Sequence, residues 1–143
     1  MVKVEKTITI NAPVEKVFAH WTEPENLPEI WPSLVEVKDS RKLPNGGNFF
    51  RWVYKMVGMR FEGTAEDIEW VRNQRTVTVD KGGIDCTITW TFQPEGEGTK
   101  LITVFEYTVP IPLLGRLAEP FILKVNEREL ESLLVNLKTK LEV

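Results

Sequence analysis

The chain has 143 residues, a net charge of −3 with both signs interspersed along its length, and a single cysteine, Cys86. That length reads as one domain spanning 1–143, large enough to bury about 68–70% of its unfolded surface without a disulfide or a metal. The charge pattern leaves no basic stripe for nucleic acid. One thiol excludes an internal disulfide and a cysteine-rich zinc site.

The opening residues MVKVEKTITI alternate apolar and polar, so Val2 to Ile10 is expected as a half-buried strand. Their charges argue against a signal peptide or a membrane span, and the expected address is cytoplasmic. Asn11 is placed to cap a short helix carrying Val14, Val17, Phe18 and Trp21, with Pro13 in its first turn. Thr22 and Glu25 are spaced as a capping box that starts a second short helix, stopped at Trp31-Pro32.

From Leu34 to Val109 the chain reads as strands broken by tight turns at Pro44–Gly47, Gly58, Arg72–Gln74, Gly82-Gly83 and Pro94–Gly98. Short turns imply antiparallel neighbours, hence a meander. Phe50, Trp52, Tyr54 and Met56 share one strand face. Ile84, Cys86, Ile88, Trp90 and Phe92 share another, and Leu101, Thr103, Phe105 and Tyr107 a third. After Pro120, the leucines at 123, 130, 134, 137 and 141 fall on one helical stripe, giving a long helix from about Pro120 to Leu141. Twisted antiparallel sheets curl. The expected fold is therefore α+β, a curved sheet of about seven strands wrapped around a long C-terminal helix.

The order of strand, two short helices, meander and long helix resembles the START/SRPBCC superfamily, the helix-grip fold of birch-pollen-allergen-like proteins. The resemblance is carried by Ile10–Phe18, TEPENLPEIW ending at Trp31, Arg60–Gly63, Phe92–Thr99, Glu106-Tyr107, Leu113–Leu117 and Glu129–Glu131. It is most similar to the small polyketide cyclase/dehydrase-like branch. The resemblance implies a hydrophobic cavity between sheet and helix that takes a lipid, polyketide, quinone or sterol-like molecule. Fold alone does not choose between carrier, enzyme and protein-interaction module.

Five tryptophans and seven phenylalanines supply rings to fill or line such an interior. Trp52, Tyr54, Trp90, Phe105 and Tyr107 are the expected walls, and Thr103 and Asn126 the polar groups among them. Asn126 sits within the apolar stripe of the long helix and needs a partner: a sheet side chain, water or a ligand oxygen. The segment Val109–Gly115, with Pro110, Pro112, Leu113 and Gly115, is either a packed connector or a gate at the cavity mouth.

His20 is the only histidine and has no nucleophile in local motif context, and no metal-ligand motif occurs. Neither a cofactor nor a metal is expected. The inward faces so assigned carry no carboxylate, which weighs against acid–base catalysis. The leading expectation is a non-catalytic carrier of a hydrophobic small molecule. The alternatives are a cyclase/aromatase-like enzyme and an interaction module with a collapsed cavity.

Overall fold

A computed structural model describes residues 2–56, 58–108 and 119–142. Alternation becomes seven strands: β1 (Val2–Ile10), β2 (Leu34–Lys42), β3 (Asn48–Met56), β4 (Met59–Val71), β5 (Arg75–Gly82), β6 (Cys86–Glu95) and β7 (Gly98–Tyr107). They form one antiparallel sheet in the order β1-β7-β6-β5-β4-β3-β2. Five tight turns build the meander, and β1 adds to its far edge with Val2 opposite Tyr107 and Ile10 opposite Thr99. The other edge, β2, is mostly exposed, charged and twice out of register with β3. Those features discourage a second chain from adding to it.

Three helices accompany the sheet: α1 (Val14–Trp21), α2 (Leu27–Ile30) and α3 (Glu119–Leu141), with a 3-10 turn at Pro24–Asn26 before α2. Neither expected cap forms. Pro13 occupies the N-cap of α1 with no side-chain bond, and the Asn11 backbone N–H donates to Glu142 Oε2 at 2.6 Å. The Thr22 hydroxyl donates back to the Phe18 carbonyl at 2.7 Å, closing α1. Glu23 takes the N-cap of the next turn, again without a side-chain bond. Pro24 fixes the backbone there, so the turn starts one residue later than expected and Thr22 falls before its N-cap position.

The stripe of α3 buries Ile122, Leu130, Leu133, Leu134, Leu137 and Leu141, while Leu123 is half-buried. Glu127 and Glu131 at its rim both take Lys6 of β1, at 2.8 and 3.2 Å, and Lys140 takes Glu29 at 2.7 Å. Exposed pairs of this kind contribute little individually. The leucine stripe holds the helix to the sheet.

The interior is solid at one end. Trp90 is fully buried, its ring centroid 3.9 Å from Trp21 and 6.3 Å from Phe92. Phe18 closes edge-on against Phe92 and Trp70, at 5.0 and 5.2 Å. Helix α1 thus plugs this half of the curved sheet. Toward α2 and the first turns of α3 the packing opens. The expected gate residues Pro110, Pro112, Leu113 and Gly115 lie outside the described residues.

Candidate ligand cavity

Strand register assembles the cavity floor row by row. One row across the concave face runs Phe50, Ala65, Asp80, Cys86, Tyr107 and Val2. The next continues from Asp67 through Thr78, Ile88 and Phe105 to Val4. Helix α3 faces this floor with Asn126, Glu129 and Leu130, and Trp31 closes a side, 5.8 Å from Phe105 and 6.1 Å from Tyr54. The cavity, partly open to solvent, measures about 130 Å³.

Small residues make room at the centre. Asp80 lies between Ala65 and Cys86, and Gly63 pairs with Gly82 further along the same two strands, β4 and β5. A Cβ on Gly63 would run into the Lys81 carbonyl and the Trp52 ring. Trp52 therefore lies flat over Gly63, and Gly82, at φ +114°, holds a conformation glycine adopts without strain.

Of the expected wall residues, Trp52, Tyr54, Phe105, Tyr107 and Asn126 line this cavity. Trp90 and Thr103 do not: both are fully buried and opposite one another in the solid layer under α1. Their side chains point to the correct face, but rings from α1 already occupy the space above them. Asn126 Nδ2 donates to the Tyr107 hydroxyl at 3.3 Å, so the buried amide has a partner on the sheet. Burial pushes the Tyr54 and Tyr107 hydroxyls up, with the Asn126 bond opposing the shift at Tyr107. Cys86 is free and lines the cavity, its thiol pushed up by burial and then by Asp80.

The expectation of a carboxylate-free interior is overturned. Asp67 and Asp80 both line the cavity, accompanied by Thr76 and Thr78. The two carboxyls are held differently. Asp67 accepts the Thr78 hydroxyl at 2.6 Å on Oδ1 and the Asn48 backbone N–H at 2.8 Å on Oδ2. Burial raises its pKa and these two donors oppose the rise. Asp80 Oδ1 is shut off from solvent with no hydrogen-bond partner. Burial, followed by the repulsion of Asp67, pushes its carboxyl up to about 8. The two neighbouring acids thus sit in unequal environments, Asp67 with two donors and Asp80 Oδ1 with none. Trp52 Nε1 and Thr76 Oγ1 are also buried without a partner. Among the described residues no lysine, arginine or histidine lines the cavity. His20 lies outside it, its ring near Asn26 and its pKa lowered by burial.

Sequence reasoning missed these acids because it assigns inward faces only on β3, β6 and β7, whereas Asp67 lies on β4 and Asp80 on β5, whose RTVTVDKG alternates Val77 and Val79 with its polar residues. The turn could have revealed them. A hairpin centred on Gly83 pairs positions of equal parity, so inward Cys86, Ile88 and Trp90 bring Asp80, Thr78 and Thr76 inward with them.

A curved sheet gripping a helix over an aromatic cavity is the architecture of the helix-grip proteins. Residues 1–142 match the family described as polyketide cyclase / dehydrase and lipid transport, and the chain belongs to that family. The protein TTHA0849 from Thermus thermophilus is similar over 98% of this chain and 97% of its own, with 29% identity and a TM-score of 0.78. A START superfamily protein from Mycobacterium smegmatis aligns over 98% and 97% at 20% identity, TM-score 0.78. The Zhui aromatase/cyclase from Streptomyces sp. R1128 aligns over 99% and 93% at 15% identity, TM-score 0.81, a likeness of fold. A search of curated proteins finds no match. No helix among the described residues is long and apolar enough to cross a membrane.

Proposed function

We propose that this protein binds and carries an uncharged, largely apolar small molecule in the cavity between the sheet and α3. The observation that supports this reading is an internal space of about 130 Å³ walled by aromatic rings and left open beside a fully packed half. Interiors are otherwise filled to crystal-like density, so retained space marks a site for something else. Apolar burial, at about 25 cal/mol per Å², would supply the affinity. The few polar groups would set orientation. The open volume also speaks for a carrier over an interaction module with a collapsed interior.

A second reading, a cyclase/aromatase-like enzyme, is favoured by one observation: the unequal carboxyl pair Asp67 and Asp80 could act as base and acid. Native mass spectrometry of protein purified from its own host, followed by denaturing extraction, separates the readings. A carrier releases one stoichiometric apolar molecule unchanged. An enzyme converts an added polyketone and does not retain it. A bare mass together with no binding of the dye ANS would sink both.

Replacing Asn126 by Leu tests the helix-side polar contact. It removes the donor to Tyr107 and is expected to lower occupancy by the co-purified molecule roughly fivefold, the worth of about one hydrogen bond. The melting temperature should move little. Unchanged occupancy with raised stability would mean that Asn126 serves neither ligand nor fold.

A further inference from the structure

Of the buried polar atoms without a partner among the described residues, those of Asp80, Thr76 and Trp52 belong to residues that line the cavity, while those of Trp90, Thr103, Trp70 and His20 do not. We infer that Asp80 is the specificity-determining group of this cavity: it donates its carboxyl proton to a carbonyl oxygen of an uncharged apolar ligand and excludes carboxylate-ended molecules. The inference rests on the carrier reading above and adds the charge and the acceptor group of what is carried.

Three observations lead there. First, Asp80 Oδ1, Thr76 Oγ1 and Trp52 Nε1 belong to residues that line the cavity, are inaccessible to water and have no partner. Thr76 and Trp52 are 2% and 5% exposed. A buried polar atom without a partner costs about 1–3 kcal/mol, a cost that a ligand group bonding to it would relieve. Thr76 stands four residues from Asp80 along β5, about 13 Å away, and faces a different part of the cavity; at Asp80 itself a neutral carboxyl can donate, which suits an acceptor oxygen.

Second, the neighbours of Asp80 on the floor are small, Ala65 and Cys86, with paired Gly63 and Gly82 beside them. In its own row Asp80 is thus flanked by no large side chain, while the Trp52 ring covers Gly63.

Third, the charges facing Asp80 are negative. Asp67 stands on β4 with its carboxylate held by Thr78 and Asn48. Glu129 looks in from α3, its Oε1 bonded by the Ser33 amide at 2.6 Å. Cys86 on β6, and Tyr107 beyond it on β7, carry a thiol and a phenol that burial keeps protonated. Among the described lining residues nothing cationic would compensate an anionic head. A carboxylate entering here meets like charge in a low-dielectric space, whereas a ketone meets donors.

Calorimetry with three probes on one naphthalene frame tests this: 2-acetylnaphthalene, 2-naphthoate and 2-(aminomethyl)naphthalene, from about pH 6 to about pH 9.5. The ketone is expected to bind at least tenfold more tightly than the carboxylate. Its affinity should be level up to about pH 8 and fall towards tenfold per pH unit beyond, as Asp80 loses the proton it donates. In Asp80→Asn, whose amide still donates, ketone affinity should stay within about threefold of wild type and lose its pH dependence.

A level ketone profile in wild type, equal binding of the carboxylate, or an amine that binds best and improves with rising pH would each overturn the role of Asp80 and leave a ligand-binding cavity standing. If none of the probes binds, the inference fails, and co-purification of a native ligand decides the carrier reading separately. Carbon-13 NMR of the unliganded wild type requires no variant. One aspartate carboxyl must titrate near 8, and its absence overturns the inference outright.

Discussion

The Asp80→Asn protein is expected to be more stable than wild type at pH 8 and equal to it near pH 4. The folded carboxyl titrates at about 8 against an ordinary value of 3.8. Between those values the folded chain holds a proton that the unfolded chain has released. The contribution of this group is thus fully present below about pH 4 and is lost as pH rises through about 8. Asparagine keeps the shape and does not titrate. At 1.36 kcal/mol per unit the gap is worth at most about 6 kcal/mol, and the effective dielectric of real interiors brings the expected gain at pH 8 to roughly 2–4 kcal/mol. Urea midpoints for both proteins at several pH values read it directly. Curves that stay parallel from pH 4 to pH 8 would show that Asp80 is solvated or paired in solution. A gain on removal is what a group kept for binding produces, since a fold selected for stability alone would not retain a half-buried acid with an unpartnered oxygen.

The architecture was legible in the sequence because its signals are local and repeated. Alternation in β3, β6 and β7 sets the inward faces, glycine-bearing turns set antiparallel order, and the leucine stripe after Pro120 sets the helix. Even the walls Trp52, Tyr54, Phe105 and Tyr107 follow from parity alone. What parity cannot tell is depth along a strand. Trp90 and Thr103 share the face of the cavity residues, yet α1 fills the space over them, and that depends on where a short helix docks. The acids were hidden for a different reason. Burial is ordinarily inferred from apolar content, and β5 offers valines on the face that turns away from the cavity while its threonines and Asp80 face in. A local preference for valine inside lost to the register imposed by the Gly82-Gly83 turn. The apolar pattern fails in β5, where Asp80 and Thr76 carry unpartnered polar atoms and line the cavity.

Truncating Trp90 to alanine is expected to destabilise the protein by about 3–5 kcal/mol, the range for a large buried ring, and to lower the melting temperature by roughly 10 °C or more. Trp90 is fully buried, packed against Trp21 at 3.9 Å and flanked by Phe92, so none of its surface faces the cavity. The lost volume would open inside the packed half and could not be relieved by a ligand or by solvent. Trp52→Ala, which removes an equal ring beside existing space, should cost less, because its surroundings already lack contacts on one side. Ligand affinity should show the opposite order: loss of Trp52 removes a wall and an N–H donor, whereas loss of Trp90 leaves the walls in place. Thermal melts and ANS titration on the two variants read both effects. If Trp90→Ala proved mild and Trp52→Ala severe in stability, the division into a solid half under α1 and a ligand half under α3 would be wrong. In the expected order, α1 serves the fold by plugging the sheet, and the opening turns of α3 leave the other half free for a guest.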